Sequence, residues 1–120
     1  MTADKMAFCP VTVAIGVIGG KWKPRILWHL RQGPHRFGDL RRKIPRISEK
    51  MLADDLKSLE AAGVLSRRVF HAKAVLATEY DFTAYGRDLI PVLDALGHWG
   101  LAHQQRVSGQ SERGRAVGVR

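Results

Sequence analysis

Apolar positions recur along this chain at two different periods, and the change between them divides it. Cys9-Pro10 opens the first periodic segment. Proline is favoured at the first helical position, which makes Cys9 an N-cap and residues 11–18 a short helix striped by Val13, Val17 and Ile18. Gly19-Gly20 ends it. A second helix is predicted over 21–31, where Trp22, Ile26, Leu27 and Leu30 share a face and Pro24 falls in the first turn. Gly33-Pro34 stops that helix, and 35–37 reads as a bridge able to form a single strand. A third helix, 39–44, turns Leu40 and Ile44 inward together with Phe37, until Pro45 breaks it. Ser48 then caps a fourth helix over 48–62, its hydroxyl placed to accept from the backbone N–H near Met51. Met51, Leu52, Leu56 and Leu59 are its expected buried stripe, and Gly63 supplies a left-handed end.

Beyond Gly63 the period drops to about 2. Segments 65–71 and 76–82 read as antiparallel strands, with Val69, Tyr80 and Phe82 of strand-favouring type. The connection, 72–75, lacks Gly, Asn and Pro and leaves the turn type open. Thr83 is the expected cap of a last helix over 84–106. The stretch from 107 to 120 has the composition of a flexible tail, and 1–8 that of a flexible start. Two short helices joined by a tight turn and followed by a β-ribbon make a winged helix-turn-helix. The expected fold class is therefore α+β, mainly α, in one domain over 9–106. It has a two-stranded β-wing and a long C-terminal dimerisation helix.

Charge gives this architecture a partner. Residues 21–73 carry 14 basic and 5 acidic side chains, whereas the rest carries 6 of each, so the whole net charge of +9 lies on the central block. A basic block of this kind suits a polyanion. The major groove of B-DNA is about 12 Å wide and admits one helix, which makes 48–62 the recognition helix. Ser48, Glu49, Lys50 and Asp54 are its exposed polar candidates for base edges. Lys50 can donate to guanine, and Glu49 can accept from cytosine. Arg36, Arg41, Arg42, Lys43 and Arg46 surround the turn and suit phosphates, which fix register without carrying sequence information. Lys21, expected at a helix N-terminus, and Lys73, at the wing tip beside His71, extend that set. Arg67 and Arg68 alternate across a strand, so only one can face DNA easily.

Other chemistries find little support. The five histidines are scattered, with His98 and His103 off the spacing a helical metal pair needs, so no metal or cofactor is expected. Gly19-Gly20-Lys21 is too short for a phosphate loop, and no catalytic grouping is readable; an enzyme is not expected. No apolar run of membrane-spanning length occurs, and 1–9 lacks a signal-peptide core, which points to the cytoplasm. The single cysteine excludes an internal disulfide. As an N-cap thiol, Cys9 feels the positive end of a helix dipole, the condition for a redox-reactive thiolate; burial as a small apolar group is the alternative. The last helix has too wide an apolar stripe for one face. Leu89, Val92, Leu93, Leu96 and Trp99 can cover both a core and a second copy of the chain.

Cys9-Pro10, Ile18-Gly19-Gly20-Lys21-Trp22, Arg36-Phe37 with Leu40, Ile47-Ser48 with Lys50 and Leu52, Leu59-Glu60 with Gly63, and Glu79-Tyr80 with Thr83 and Gly86 occur in that order. Together they resemble the HxlR-type transcriptional regulators, relatives of the MarR class. The likeness spans 9–99, about three quarters of the chain. It implies a cytoplasmic, prokaryotic-type transcription factor. The resemblance also implies a homodimer built from the first and last helices, which adds Val13 to the dimerisation set, on a pseudo-palindromic operator. Family members with a cysteine at this position include sensors of oxidants, quinones or aldehydes. The wing departs from the pattern, since HAKAVLATEY has no proline before Glu79-Tyr80. Two further readings stay open: a redox- or small-molecule sensor whose output is DNA binding, through Cys9 or a pocket near Trp22, Trp28 or Trp99, and a basic module for RNA or protein. Against RNA, no sheet face is rich in aromatics for base stacking.

Overall fold

The computed structural model describes residues 8–116, with side chains for 8–109. The chain divides into two compact units, Met1–Asp88 and Leu89–Arg120. The first holds α1 (Pro10–Ile18), α2 (Lys23–Leu30), β1 (His35–Arg36), α3 (Phe37–Lys43), α4 (Glu49–Ala61), β2 (Leu65–Ala72), β3 (Val75–Phe82) and a 3-10 turn at Gly86–Asp88. The second is one helix, α5 (Leu89–Ala116).

Proline starts α1 and glycine ends it, as the pattern requires. Cys9 is extended at its N-cap, and the Gly19 N–H closes on Ile15 O at 2.6 Å. A Cβ on Gly19 would stand 2.4 Å from that same oxygen, so only glycine permits the closure. The second helix begins later than expected. Gly20, at φ +103, and the bent backbone after it keep Lys21 outside, and Lys23 and Pro24 form the first turn. Lys21 therefore does not occupy a helix N-terminus.

The core forms where three helices and the sheet present their apolar faces. Ile26, Leu27 and Leu30 of α2, Leu40 of α3, Ile44 after it, and Leu52, Leu56 and Leu59 of α4 are buried, as are Leu65, Tyr80 and Phe82 of the sheet. Each such aliphatic side chain contributes about 1.5–3 kcal/mol by leaving water. Met51 departs from the expected stripe, since it is 40% exposed. Leu52, Leu56 and Leu59 are spaced four and three apart and fix the inward face; Met51 stands about 100° around the helix from Leu52. Phe37 is half-buried and opens α3 directly after β1.

Both ends of α4 are closed by local chemistry. Ser48 Oγ accepts from Met51 N–H at 3.0 Å. At the other end Gly63 takes φ +80, Gly63 N–H reaches Glu60 O, and Val64 N–H reaches Leu59 O, each at 3.0 Å. That pairing satisfies two of the carbonyls a helix end leaves open.

The bridge at His35 and Arg36 is a true strand. It pairs antiparallel with β3, so the sheet has three strands in the order β1-β3-β2. β2 and β3 pair from Leu65↔Phe82 to Ala72↔Val75, leaving a two-residue turn at Lys73 and Ala74. Both are left-handed, at φ +53 and +66. Two positive φ values match the twist of the flanking strands, a demand usually met by Asn-Gly.

Thr83 caps a different element from the one expected. Its hydroxyl donates to Gly63 O at 2.6 Å and accepts from Gly86 N–H at 2.9 Å, tying the end of the wing to the end of α4 and opening the 3-10 turn. Gly86 packs so closely that a Cβ would lie 2.0 Å from Val64 O. The long helix starts only at Leu89, not at residue 84. It continues to Ala116, past the expected end at Arg106 and through Gly109 and Gly114. Extending a helix that already exists costs far less than nucleating one. The expected flexible tail is thus helical over 107–116, and residues 1–7 and 117–120 lie outside the described residues. Along α5, Leu93 is buried and Leu89 half-buried, whereas Val92, Leu96 and Trp99 are exposed.

Candidate nucleic-acid interface

The exposed side of α4 and the turn before it gather most of the sequence-nominated residues. Ser48, Glu49, Lys50 and Asp54 are all exposed at the N-terminal end of α4. The cap consumes one lone pair of Ser48 and leaves its O–H free to donate. Lys50 Nζ donates to Asp54 Oδ2 at 2.8 Å across one turn. That hydrogen bond and the Asp54 charge raise the Lys50 pKa above its ordinary value, so the ammonium stays charged throughout the neutral range. Glu49 lies 3.9 Å from Arg41, which joins the start of α4 to α3. Met51 adds an exposed apolar side chain to the same end of the helix. The four-and-three spacing of the buried leucines carried that signal in the sequence.

The cations around the turn separate into paired and unpaired groups. Arg42 binds Asp39 within α3, and Arg41 reaches Glu49. Lys43 is occupied differently. A carbonyl only accepts and an ammonium only donates, so the contacts of buried His35 fix its tautomer. Nδ1–H donates to Gly33 O and Nε2 accepts from Lys43 Nζ, each at 2.8 Å. This network holds β1 against the last turn of α3, while Lys43 stays exposed with two of its three donors still free. Arg46 and Lys73 make no hydrogen bond or ion pair among the described residues, and both are exposed.

On the sheet, the alternation of Arg67 and Arg68 is resolved by their partners. Arg67 lies 3.8 Å from Glu60 of α4, and Arg68 hydrogen-bonds Glu79 at 2.8 Å. The Arg68 and Arg36 guanidinium carbons stand 4.2 and 5.1 Å from the Phe70 ring. Lys21 Nζ rests 4.8 Å from the Trp22 ring. Magnitudes decide whether the paired cations remain available. An exposed ion pair is worth about 0–1 kcal/mol. These exposed pairs are therefore weak enough to leave the cations open to exchange with another anion.

Cys9 is exposed and lies apart from this surface in the sequence, at the head of α1. It makes no formed capping hydrogen bond. The Thr12 hydroxyl, and then the backbone N–H groups of Thr12 and Val11, nevertheless hold its thiol below the ordinary thiol range. Within the single chain Cys9 is not packed away as a small apolar group. Among the described residues no group of three His, Cys, Asp or Glu is placed to hold a metal, and no helix is long and apolar enough to cross a membrane.

Comparisons with known proteins agree with this fold. The chain is 44% identical over 101 residues to an HTH-type transcriptional regulator of Bacillus subtilis (strain 168), YtcD, covering 84% of this chain and 79% of the relative. It is similar in structure to the redox regulator HypR in its reduced form, with a TM-score of 0.78 and 36% identity over 84% of this chain and 99% of that one. It is also similar to the reduced form of the transcriptional regulator YodB from B. subtilis, with a TM-score of 0.67 and 33% identity over 77% and 91%. Residues 17–108 match the HxlR-like helix-turn-helix family, and the chain belongs to that family: it is a transcriptional regulator with a winged helix-turn-helix DNA-binding fold.

Proposed function

We propose that the protein acts as a homodimer on a pseudo-palindromic operator, with α4 in the major groove of each half-site. The capped, exposed start of α4, ringed by cations, carries this reading. Lys50, Glu49, Asp54 and Ser48 read base edges. Arg36, Arg41, Arg42, Arg46, Lys73 and Lys21 hold phosphates. Exposed Val13 on α1 and Val92, Leu96 and Trp99 on α5 supply apolar surface for the second copy. The expected footprint is an inverted repeat, and affinity falls steeply with salt. Lys50→Ala weakens the operator complex by about tenfold or more and relaxes preference at one position, the scale of one lost base contact. Arg42→Ala weakens operator and random duplex alike. Equal loss on both duplexes for both variants overturns the division of labour.

A second reading has its own observation. Cys9 is exposed, and its thiol is held below the ordinary range by Thr12. Similar structures belong to proteins described as redox regulators, HypR among them in reduced and oxidised forms. Diamide treatment of the wild type is expected to change duplex affinity, with Cys9→Ser protected. With a single cysteine in each chain, the oxidised product is an inter-chain Cys9 disulfide or a mixed disulfide with a small thiol. An unchanged affinity after oxidation removes this reading.

A further inference from the structure

Three non-glycine residues among those described adopt positive φ: Arg46, Lys73 and Ala74. Left-handed backbone is disfavoured for residues with a Cβ and is the usual place for glycine or asparagine. Arg46, at φ +74, sits in the tight turn between α3 and α4, with Pro45 before it and buried Ile47 after it. Lys73 forms the apex of the wing with Ala74. Neither cation has a carboxylate or hydrogen-bond partner among the described residues, whereas Arg41, Arg42, Lys50, Arg67 and Arg68 each have a carboxylate. Two of these three left-handed positions thus carry long, charged side chains that are exposed and unpaired among the described residues. No hydrogen bond or ion pair among the described residues accounts for either.

We infer that Arg46 and Lys73 are duplex-phosphate contacts kept at the expense of folding stability, one in the turn before the recognition helix and one at the wing apex. The inference rests on the proposed DNA-binding role and adds an energetic signature to it. Ala74 is the internal control, because it carries the same backbone conformation without the charge. At a strained contact, glycine and alanine differ in what they restore. Both remove the cation, and only glycine relaxes the backbone.

The test measures melting temperature and affinity for a short duplex across a salt series in the full chain. Arg46→Gly and Arg46→Ala are expected to lose the same affinity, about tenfold at low salt, and to flatten the log–log salt slope by about one contact. Arg46→Gly melts above Arg46→Ala by about 3 °C or more. Lys73→Gly and Lys73→Ala behave in the same way. Ala74→Gly raises the melting temperature and leaves affinity and slope at wild-type values. Wild-type affinity in the two Gly variants overturns the inference, and so does a Gly variant that melts no higher than its Ala counterpart. The underlying reading fails separately, through absence of salt-dependent duplex binding by the wild type or no loss with Lys50→Ala.

Discussion

The Cys9 thiol shows how a single neighbour sets reactivity. The dipole of a helix as short as α1 is a weak influence, and it acts on any N-cap thiol. The larger influence here is the Thr12 hydroxyl, three residues on, followed by the first backbone N–H groups. All three favour thiolate over thiol, so the titration midpoint falls. Because the thiolate is the nucleophile, alkylation of Cys9 is expected to accelerate at a lower pH than for an unperturbed thiol. Thr12→Val removes the hydroxyl and keeps the backbone donors and the side-chain shape. It is expected to move the midpoint of a pH-rate profile for iodoacetamide back upward, part of the way to an ordinary thiol. A Thr12→Val profile that overlays the wild type removes the hydroxyl as the cause. The dipole argument available from Cys9-Pro10 pointed at this thiol, and the Thr12 partner was hidden because rotamers and hydroxyl directions are not written in the pattern.

At the scale of elements, α4 is the piece whose local chemistry and tertiary role coincide. Ser48 caps the end that is proposed to meet DNA, so one hydroxyl governs both stability and orientation. Ser48→Ala is expected to lower stability by about 1 kcal/mol, the usual worth of such a cap. Ser48→Asp restores stability while placing a negative charge at the groove, and duplex affinity then falls below that of Ser48→Ala. Denaturant midpoints and duplex titrations separate the two effects; equal affinity of the Asp and Ala variants means the cap stands away from the phosphates. This helix was legible in sequence because a hydroxyl cap, a 3.6-residue stripe and a terminal glycine all agreed. Elements without such agreement were read less well. Thr83 looked like a helix cap, yet its hydroxyl spans twenty positions to Gly63, a contact that only the closed wing creates. The turn at Lys73 and Ala74 carried no glycine or asparagine signal, and the strand pairing imposed its conformation. His35 and Arg36 were too short to declare a strand by periodicity, and pairing with Tyr80 and Glu79 makes them one. Among the candidate site residues, the charge block nominated the surface, but not the hydrogen bond of Lys43 to His35 or the outward turn of Met51.

For the whole molecule, affinity depends on how many copies engage one duplex. A single winged helix presents one recognition helix and a handful of phosphate contacts, which by itself gives modest affinity. Joining two copies makes the second half-site encounter intramolecular, at an effective concentration near millimolar for a short connection. Two-fold symmetry also spaces the recognition helices by about 34–36 Å, one turn of DNA. The exposed apolar side chains fit such a contact. Val11, Val13 and Ile15 lie open on α1, and Val92, Leu96 and Trp99 on α5. Trp99 is 66% exposed and stacked on His103 at 4.9 Å, a large apolar surface to leave in water. Trp99→Glu, on the exposed side of α5, puts a charge into the proposed contact. It is expected to give monomers by sedimentation at micromolar concentration, with helical content unchanged by circular dichroism. Its affinity for a full inverted repeat is then expected to fall by about 10²–10⁴-fold, to the level of a half-site duplex. Half-site affinity itself stays close to wild type, because the recognition helix is untouched. A monomeric wild type, or a monomeric variant that keeps full affinity for the inverted repeat, is incompatible with a two-fold regulator.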